Sequence, residues 1–297
     1  MLAGAKCARK AIAPGEQIPA EWGGGTNKWP WPIPLIASAK PTKPELVGHF
    51  APEAPDFNLA VPDQIRVEVF LRHLKQWQAD RAKGRDTMPN FIQLRIPDDH
   101  TNGTVPGKPT PKASVSDNDL AVGRAVDAIS HSPFWDDTAF FILEDDAQNG
   151  ADHVDAHRSI ALVVSKYAPH AKGSGPVVDS RFYSTVSFIR TMETLLGLPP
   201  MNNNDAFSSM ISSLFTGPGD QPAYAADYSN RDNGLIYAAN PKKAPGAQQS
   251  SRMDFRHADQ ADAQKLNVIL WKDAMSGKPV PAMLNQKRTK PRKDDDD

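Results

Sequence analysis

An apolar strand that runs directly into a dense set of acidic and imidazole side chains is the feature that most constrains this chain. The run 138–143, Thr-Ala-Phe-Phe-Ile-Leu, is typical of a buried strand. Seven of the next fourteen residues are ionisable: Glu144, Asp145, Asp146, Asp152, His153, Asp155 and His157. Because crowded carboxylates repel one another, this pattern indicates a bound positive charge, most simply a metal ion, at the end of the strand.

Helices and short apolar strands alternate along the chain, which predicts an α/β fold. The predicted helices cover 63–82, with Asp63 as a cap, then 117–133, 184–200, 207–215 and 258–277, and the predicted strands cover 90–97, 138–143 and 159–169. The strands lack polar alternation, which favours a sheet covered by helices on both faces. Ligands of such sheets bind beyond the carboxyl ends of the strands. "DDH" after Ile96 and "EDD" after Leu143 both lie at such ends, so we expect one site there.

Composition excludes several classes of function. The formal net charge of −1 argues against general binding to nucleic acid or to an anionic membrane surface. No run reaches the ~18 apolar residues of a membrane span, and the first residues lack the apolar core of a signal peptide. The single cysteine, Cys7, excludes an internal disulfide and a cysteine-based zinc site.

Carboxylates and imidazoles together are typical ligands of zinc, manganese, iron or calcium, and such an ion could polarise a phosphoryl oxygen. Asp145 and Asp146 could both bind one only if the chain turns there, and the Gln-Asn-Gly that follows favours a turn. Other interpretations stay open at this point. The two aspartates could cap a loop or pair with arginines, and "DDHTNGT" could be an ordinary turn.

Three stretches resemble a known family. They are "VGRAVDAISHSPFWDDTAFFILEDDAQNGADHV", "MPNFIQLRIPDDHTNGT" and "TMETLLGLPPMNNNDAF". They resemble the bacterial phosphoesterase family of phospholipase C and AcpA-type acid phosphatases, within the alkaline phosphatase superfamily, and most of all the members that follow a YVTN-type β-propeller. The resemblance covers roughly residues 43–277. It implies an alkaline-phosphatase-like sheet covered by helices, and metal-dependent hydrolysis of phosphate mono- or diesters, with a small phosphate ester or a phospholipid head group as substrate.

The resemblance also implies roles for individual residues. Asp145 and Asp146 match the paired acidic positions that bind metal in the family. His100 and His153 match histidines that line the site or bind a second ion, with Asp99 as a companion, and His100 is the one candidate for a catalytic role. The remaining positions of the motif could either bind metal or order the loop around the site; they are Asp152, Asp155 and His157.

One departure from the family pattern changes the expected activity. The early Glu-Asn motif and the nucleophilic Ser or Thr of the family have no counterpart before residue 90. We therefore expect an irregular segment at 1–44, the C-terminal part of a phosphoesterase domain at 45–277, and a disordered charged tail at 278–297. A second chain or an upstream half would complete the domain, and activity without it would be weak.

Two other functions remain compatible with the same residues. One is a non-catalytic module that binds a metal and a phosphate group, and the other is a loop that calcium merely stabilises. Relatives of the family are typically exported, which implies an envelope or extracellular setting, although no signal peptide is recognisable in this sequence.

Overall fold

A computed structural model describes residues 11–17, 28–34, 41–55, 57–144, 159–171, 175–257 and 260–285. These residues combine helices with one small sheet, which is a general α/β arrangement. The helices are α1 Asp63–Arg81, α2 Pro111–Ser130, α3 Thr185–Leu196, α4 Asn203–Ala206, α5 Ser229–Asp232, α6 Ala247–Ser250 and α7 Ala263–Ala274. The strands are β1 Ala139–Leu143 and β2 Ala161–Ser165. Short 3-10 helices cover Pro44–Leu46, Asp98–His100, Trp135–Asp137, Ser212–Phe215, Leu235–Tyr237 and Ala282–Asn285.

Helices α1 and α2 pack against each other and form the centre of the structure. Val67 and Leu74 of α1 are buried against Ala121 and Ile129 of α2, in a cluster that Trp135 closes. The predicted helix from Asp63 is confirmed, but the Asp63 side chain does not cap it, since Pro62 holds the N-cap position.

Helix α2 begins six residues before the predicted start at Asp117. Thr110 caps it, because its Oγ1 accepts the Ala113 N–H at 3.1 Å, and Pro111 follows as the first helical residue. The helix ends at Ser130 rather than at Pro133. Consequently Asp117 lies inside the helix, where its side chain is buried instead of capping an end.

The predicted strands at 138–143 and 159–169 pair with each other as β1 and β2. The pairing is antiparallel, with Phe140 opposite Val164. Phe140 packs toward the α1–α2 core, whereas Phe141, on the opposite face, contacts Phe188 of α3 with the ring centres 5.9 Å apart. Side chains on both faces of the sheet therefore contact helices, but the predicted burial is incomplete: the residues of β1 are half-buried, and Ala161 and Leu162 of β2 are exposed.

The predicted strand at 90–97 is wrong for the described part of the chain. Residues 91–97 run without a helix, turn or bend, but they join no sheet. Side chains such as Phe, Ile and Leu favour strands only where a neighbouring strand and a core receive them. Only the end of the segment reaches the core, where Ile96 packs on the α1–α2 cluster.

The helices toward the C-terminus mostly follow the prediction. Helix α3 starts after a capping box at Ser184 and ends at Gly197, which has φ +67°. The predicted helix at 207–215 shortens to a 3-10 turn, Ser212–Phe215. The predicted helix at 258–277 shortens to α7, which buries Leu266 and Ile269 and leaves Ala274 exposed. Of the predicted tail, residues 286–297 lie outside the described residues.

Two short N-terminal pieces contribute to the core. Residues 11–17 and 28–34 pair through a bridge between Ile12 and Ile33. Trp29 and Trp31 are buried beside Ile65 of α1. Among the described residues, no helix combines the length and the apolar character that crossing a bilayer requires.

Candidate metal centre

Three buried carboxylates from three separate elements converge where α1, α2 and the Asp98–His100 turn meet. Asp63 is the first residue of α1, Asp98 begins the turn, and Asp117 lies within α2. One carboxylate oxygen of each lies within 4.8 Å of the other two. These residues form the buried carboxylate cluster, which could hold a metal ion.

Backbone hydrogen bonds fix the positions of the Asp63 and Asp117 carboxylates. The Asp63 N–H, at the start of α1, donates to Asp117 Oδ2 at 2.6 Å. The Asp98 N–H donates to Asp63 Oδ2 at 2.9 Å. The side chain of Gln64 adds a bond from Nε2 to the Asp117 carbonyl at 2.7 Å. The cluster is therefore preorganised by the same contacts that join the two central helices.

Arg66 supplies a positive charge inside the cluster. Its Nη1 lies 3.0 Å from Asp63 Oδ1 and 3.7 Å from Asp98 Oδ1, and its guanidinium is almost completely buried. Its Nη2 also donates to the Asn58 carbonyl at 3.1 Å. If all three carboxyls were ionised, one guanidinium would leave two negative charges unmatched in the interior. Protons or a further cation must compensate them.

Burial raises the pKa of every carboxyl in the cluster. The pKa of Asp117 rises from 3.8 to about 7, because of burial and then the charge of Asp63. The pKa of Asp98 rises well above its usual value for the same two reasons, and that of Asp63 rises by burial although Arg66 opposes the change. The side chains of Asp98 and Asp117 hydrogen-bond to each other, and this bond raises the pKa of Asp98 and lowers that of Asp117.

Two carboxylate oxygens of the cluster have the properties of open ligand positions. Asp98 Oδ1 and Asp117 Oδ1 are buried, and among the described residues neither accepts a hydrogen bond. Unsatisfied buried oxygens cost free energy, and hard divalent cations prefer oxygen ligands of this kind. The donor set therefore fits calcium, magnesium or manganese better than zinc, for which nitrogen and sulfur ligands are more usual.

Asp99 and His100 face the other side of the same turn. Asp99 is close enough to Asp63 and Glu144 for both charges to act on it, and burial together with these charges raises its pKa to about 6. Asn118 Nδ2 lies 3.1 Å from Asp63 Oδ2 and 3.5 Å from Asp99 Oδ1. Asn118 thus links the buried cluster to the outer face of the turn.

Contacts on two sides hold the His100 ring in place and leave its Nε2 without a hydrogen-bond partner among the described residues. Its edge meets the face of Phe57, with ring centres 5.7 Å apart, and Nδ1 lies 3.3 Å from the Thr101 carbonyl. Its Nε2 is buried, and no described residue hydrogen-bonds to it. Because the Thr101 carbonyl can only accept, Nδ1 carries the proton, and Nε2 of the neutral ring has a lone pair that can bind a metal ion.

The backbone directly after His100 is strained. Thr101 has φ +61°, and it is the only non-glycine residue of the described chain with a positive φ. The loop is held in place from both sides: Thr101 Oγ1 accepts the Gly103 N–H, and Asn102 Nδ2 donates to the Leu59 carbonyl. A β-branched residue in this conformation is an outlier, and such strain clusters at functional sites.

The structure brings together only part of the predicted site. Asp99 and His100 lie on one turn, close to the end of β1. The other predicted ligands lie outside the described residues: Asp145, Asp146, Asp152, His153, Asp155 and His157. Sequence reasoning missed the roles of Asp63 and Asp117, which were interpreted as polar starts of helices. The available signal was that Asp117 shares a helical stripe with the apolar residues Leu120 and Ala121.

Comparison with known proteins adds no relative. No protein-family model, no curated protein and no solved structure matches the chain significantly.

Proposed function

We propose that this chain is a metal-dependent phosphoesterase that hydrolyses phosphate mono- or diesters, with an alkaline-phosphatase-like arrangement of its sheet. The observation that carries the proposal is that the charge of Glu144 reaches Asp99 and, after burial and the charge of Asp63, helps to raise its pKa. Glu144 opens the "EDD…DHVDAHR" run, and Asp99 belongs to "DDH". The two motifs that resemble the phosphoesterase family are therefore close in space, although more than forty residues separate them in the sequence.

The side chains of the described region suit recognition of a phosphate ester beside a metal. A divalent ion held by carboxylates would polarise a phosphoryl oxygen and offset charge on the leaving oxygen. His100 Nε2 carries the free lone pair that would bind such an ion, while Asn118 and Thr101 hydrogen-bond within the turn and hold it in place. The substrate is a small phosphate ester or a phospholipid head group, as the resemblance implies.

A second chain or an upstream half of the domain would provide the nucleophile in this proposal. The sequence contains no Gly-x-Ser-x-Gly motif and no counterpart of the early family motif. Covalent phosphoryl transfer needs an activated hydroxyl at the metal. We therefore expect the isolated chain to turn over slowly.

A non-catalytic module that binds metal and phosphate is the second candidate. The position of Arg66 between Asp63 and Asp98 favours this non-catalytic module, because the guanidinium offsets part of the buried negative charge without any metal. A module of this kind would bind inorganic phosphate stoichiometrically without hydrolysing an ester.

Hydrolysis of para-nitrophenyl phosphate and of its bis-ester by the purified chain tests the proposal. We expect slow turnover with manganese, zinc or calcium, and none after chelation. The variant Asp145→Ala/Asp146→Ala should lower the rate by about 100-fold or more, because loss of metal ligands removes the charge stabilisation that the reaction requires.

Asp136→Ala/Asp137→Ala is the matched control, since it also removes two adjacent aspartates, but these are exposed and pair only with surface cations. This variant should keep the activity of the wild type. Absence of turnover in a folded, metal-loaded sample that still binds phosphate would refute the enzyme and support the binding module. Equal activity in both double variants would indicate a contaminating phosphatase.

A further inference from the structure

Seven consecutive residues, 89–95, form an exposed segment, although their side chains are largely apolar. The sequence is Pro-Asn-Phe-Ile-Gln-Leu-Arg, and every one of these residues is exposed. The exposed fraction is 56% for Phe91 and 36% for both Ile92 and Leu94. A run of this composition is usually found inside a sheet, so its partial exposure indicates a surface that another strand covers.

The backbone of the exposed segment has unused hydrogen-bonding groups. No backbone–backbone hydrogen bond joins residues 90–96 to another described residue. The chain runs from Phe91 to Pro97 without a turn or bend. Apart from the Ile96 carbonyl, which accepts from Asn118 Nδ2, this row of N–H and C=O groups is a template for pairing with a strand.

Contacts at both ends hold the exposed segment in place. Met88 before it and Ile96 after it pack on the α1–α2 cluster. Asn118 Nδ2 donates to the Ile96 carbonyl at 2.6 Å, and the Asp98 N–H is bound to Asp63. The segment is therefore presented outward from fixed ends, which lowers the entropy lost when a strand pairs with it.

When two copies of the exposed segment pair in one particular antiparallel register, their side chains complement each other. Pro89 and Pro97 have no N–H, so pairing is confined to residues 90–96, and the middle of this window is Gln93. With a two-fold axis at Gln93, Ile92 lies opposite Leu94 of the second copy, and Phe91 lies opposite Arg95 of the second copy. Apolar side chains then meet apolar ones, and Arg95, whose guanidinium lies 5.4 Å from the centre of the Phe57 ring in its own chain, comes beside Phe91 of the second copy.

We propose that two copies of this chain associate through antiparallel pairing of their exposed segments around Gln93. The same surface is used on both copies, so the interaction closes at a dimer and does not propagate into fibres. The pairing would satisfy the free backbone groups and cover Ile92 and Leu94. It is independent of metal binding and of the proposed phosphoesterase activity.

Sedimentation velocity across the micromolar concentration range tests this association. We expect the 32.4 kDa chain to shift toward twice its mass as concentration rises. Gln93→Pro should shift the transition to at least ~10-fold higher concentration, because proline removes an N–H at the centre of the pairing. Gln93→Ala keeps that N–H and should associate like the wild type. Circular dichroism shows whether both variants retain the fold.

Oxidative cross-linking tests the register itself, in a background where Cys7 is replaced by serine. Residue 93 is opposite its own copy, so Gln93→Cys should form a disulfide dimer. Asn90→Cys is the control, because the two copies of residue 90 would be about 20 Å apart at 3.3 Å per residue. A wild type that remains monomeric, a Gln93→Pro variant that dimerises normally, or equal cross-linking at both positions would each overturn the proposal.

Discussion

Replacement of Arg66 by methionine is expected to lower the free energy of unfolding by about 3–5 kcal/mol, the range measured when one partner of a buried ion pair is removed. The guanidinium is buried and faces Asp63 and Asp98. Its loss leaves the carboxylate cluster without its internal cation, and it also breaks the hydrogen bond to the Asn58 carbonyl. Urea denaturation at neutral pH, in buffer with a chelator, measures the change.

Arg85→Met is the matched control for this prediction. Arg85 also pairs with an aspartate, Asp80, but its side chain is largely exposed. Removal of an exposed ion pair changes stability by about 0–1 kcal/mol. If Arg66→Met destabilised the protein no more than Arg85→Met, Arg66 would not be the charge that holds the cluster together.

The second large effect is a loss of stability as pH rises in metal-free buffer. Burial raises the pKa of Asp117 from 3.8 to about 7 and that of Asp99 from 3.8 to about 6. A carboxyl whose folded pKa is raised favours the folded state at low pH, and this contribution disappears as pH rises through the folded pKa. Because a pKa difference of one corresponds to about 1.4 kcal/mol, Asp117 alone accounts for a loss of about 3–4 kcal/mol between about pH 4 and pH 8.

Urea denaturation across this pH range, with the wild type and Asp117→Asn, measures the effect. The amide cannot ionise, so the variant should lose the part of the slope that Asp117 contributes, and the part that comes from Asp99 should remain. Carboxyls with lowered pKa, such as Asp179, contribute below pH 4 and do not interfere. If the free energy of unfolding without metal stayed constant or rose between pH 5 and pH 8, ionisation of the buried carboxyls would not destabilise the fold.

Two of the longer helices were predictable from the sequence. Helix α1 follows from the spacing of Ile65, Val69 and Leu74, and helix α3 follows from Ser184 and Gly197 at its ends. The start of α2 was not predictable, because the Pro-Thr-Pro run at 109–111 is typical of a loop. In the structure Thr110 and Pro111 instead serve as the cap and the first residue of the helix.

The segment at 90–97 shows why strands are harder to predict than helices. A helix satisfies its backbone internally, whereas a strand exists only when another strand pairs with it. Phe91, Ile92 and Leu94 have the composition of a strand, but the described chain provides no partner. Local sequence carries no information about whether that partner exists.

Part of the candidate site could be predicted from the sequence, and the other part could be recognised only from the folded structure. Asp99 and His100 stand out because they follow an apolar run directly. Asp63 and Asp117 are 54 positions apart, and each resembles an ordinary helix start when it is considered alone. Their convergence depends on the packing of α1 against α2, which no local pattern reveals.

The most direct test of the metal centre is the number of manganese ions bound per chain, measured by elemental analysis after equilibrium dialysis at neutral pH. The comparison uses wild type, Asp98→Asn and the exposed control Asp86→Asn. Asparagine keeps the shape of Asp98 but removes its charge, so we expect Asp98→Asn to bind one ion fewer than wild type, and Asp86→Asn to bind the same number. A wild type that binds no metal, or an Asp98→Asn variant with undiminished binding, would contradict a metal centre at Asp63, Asp98 and Asp117.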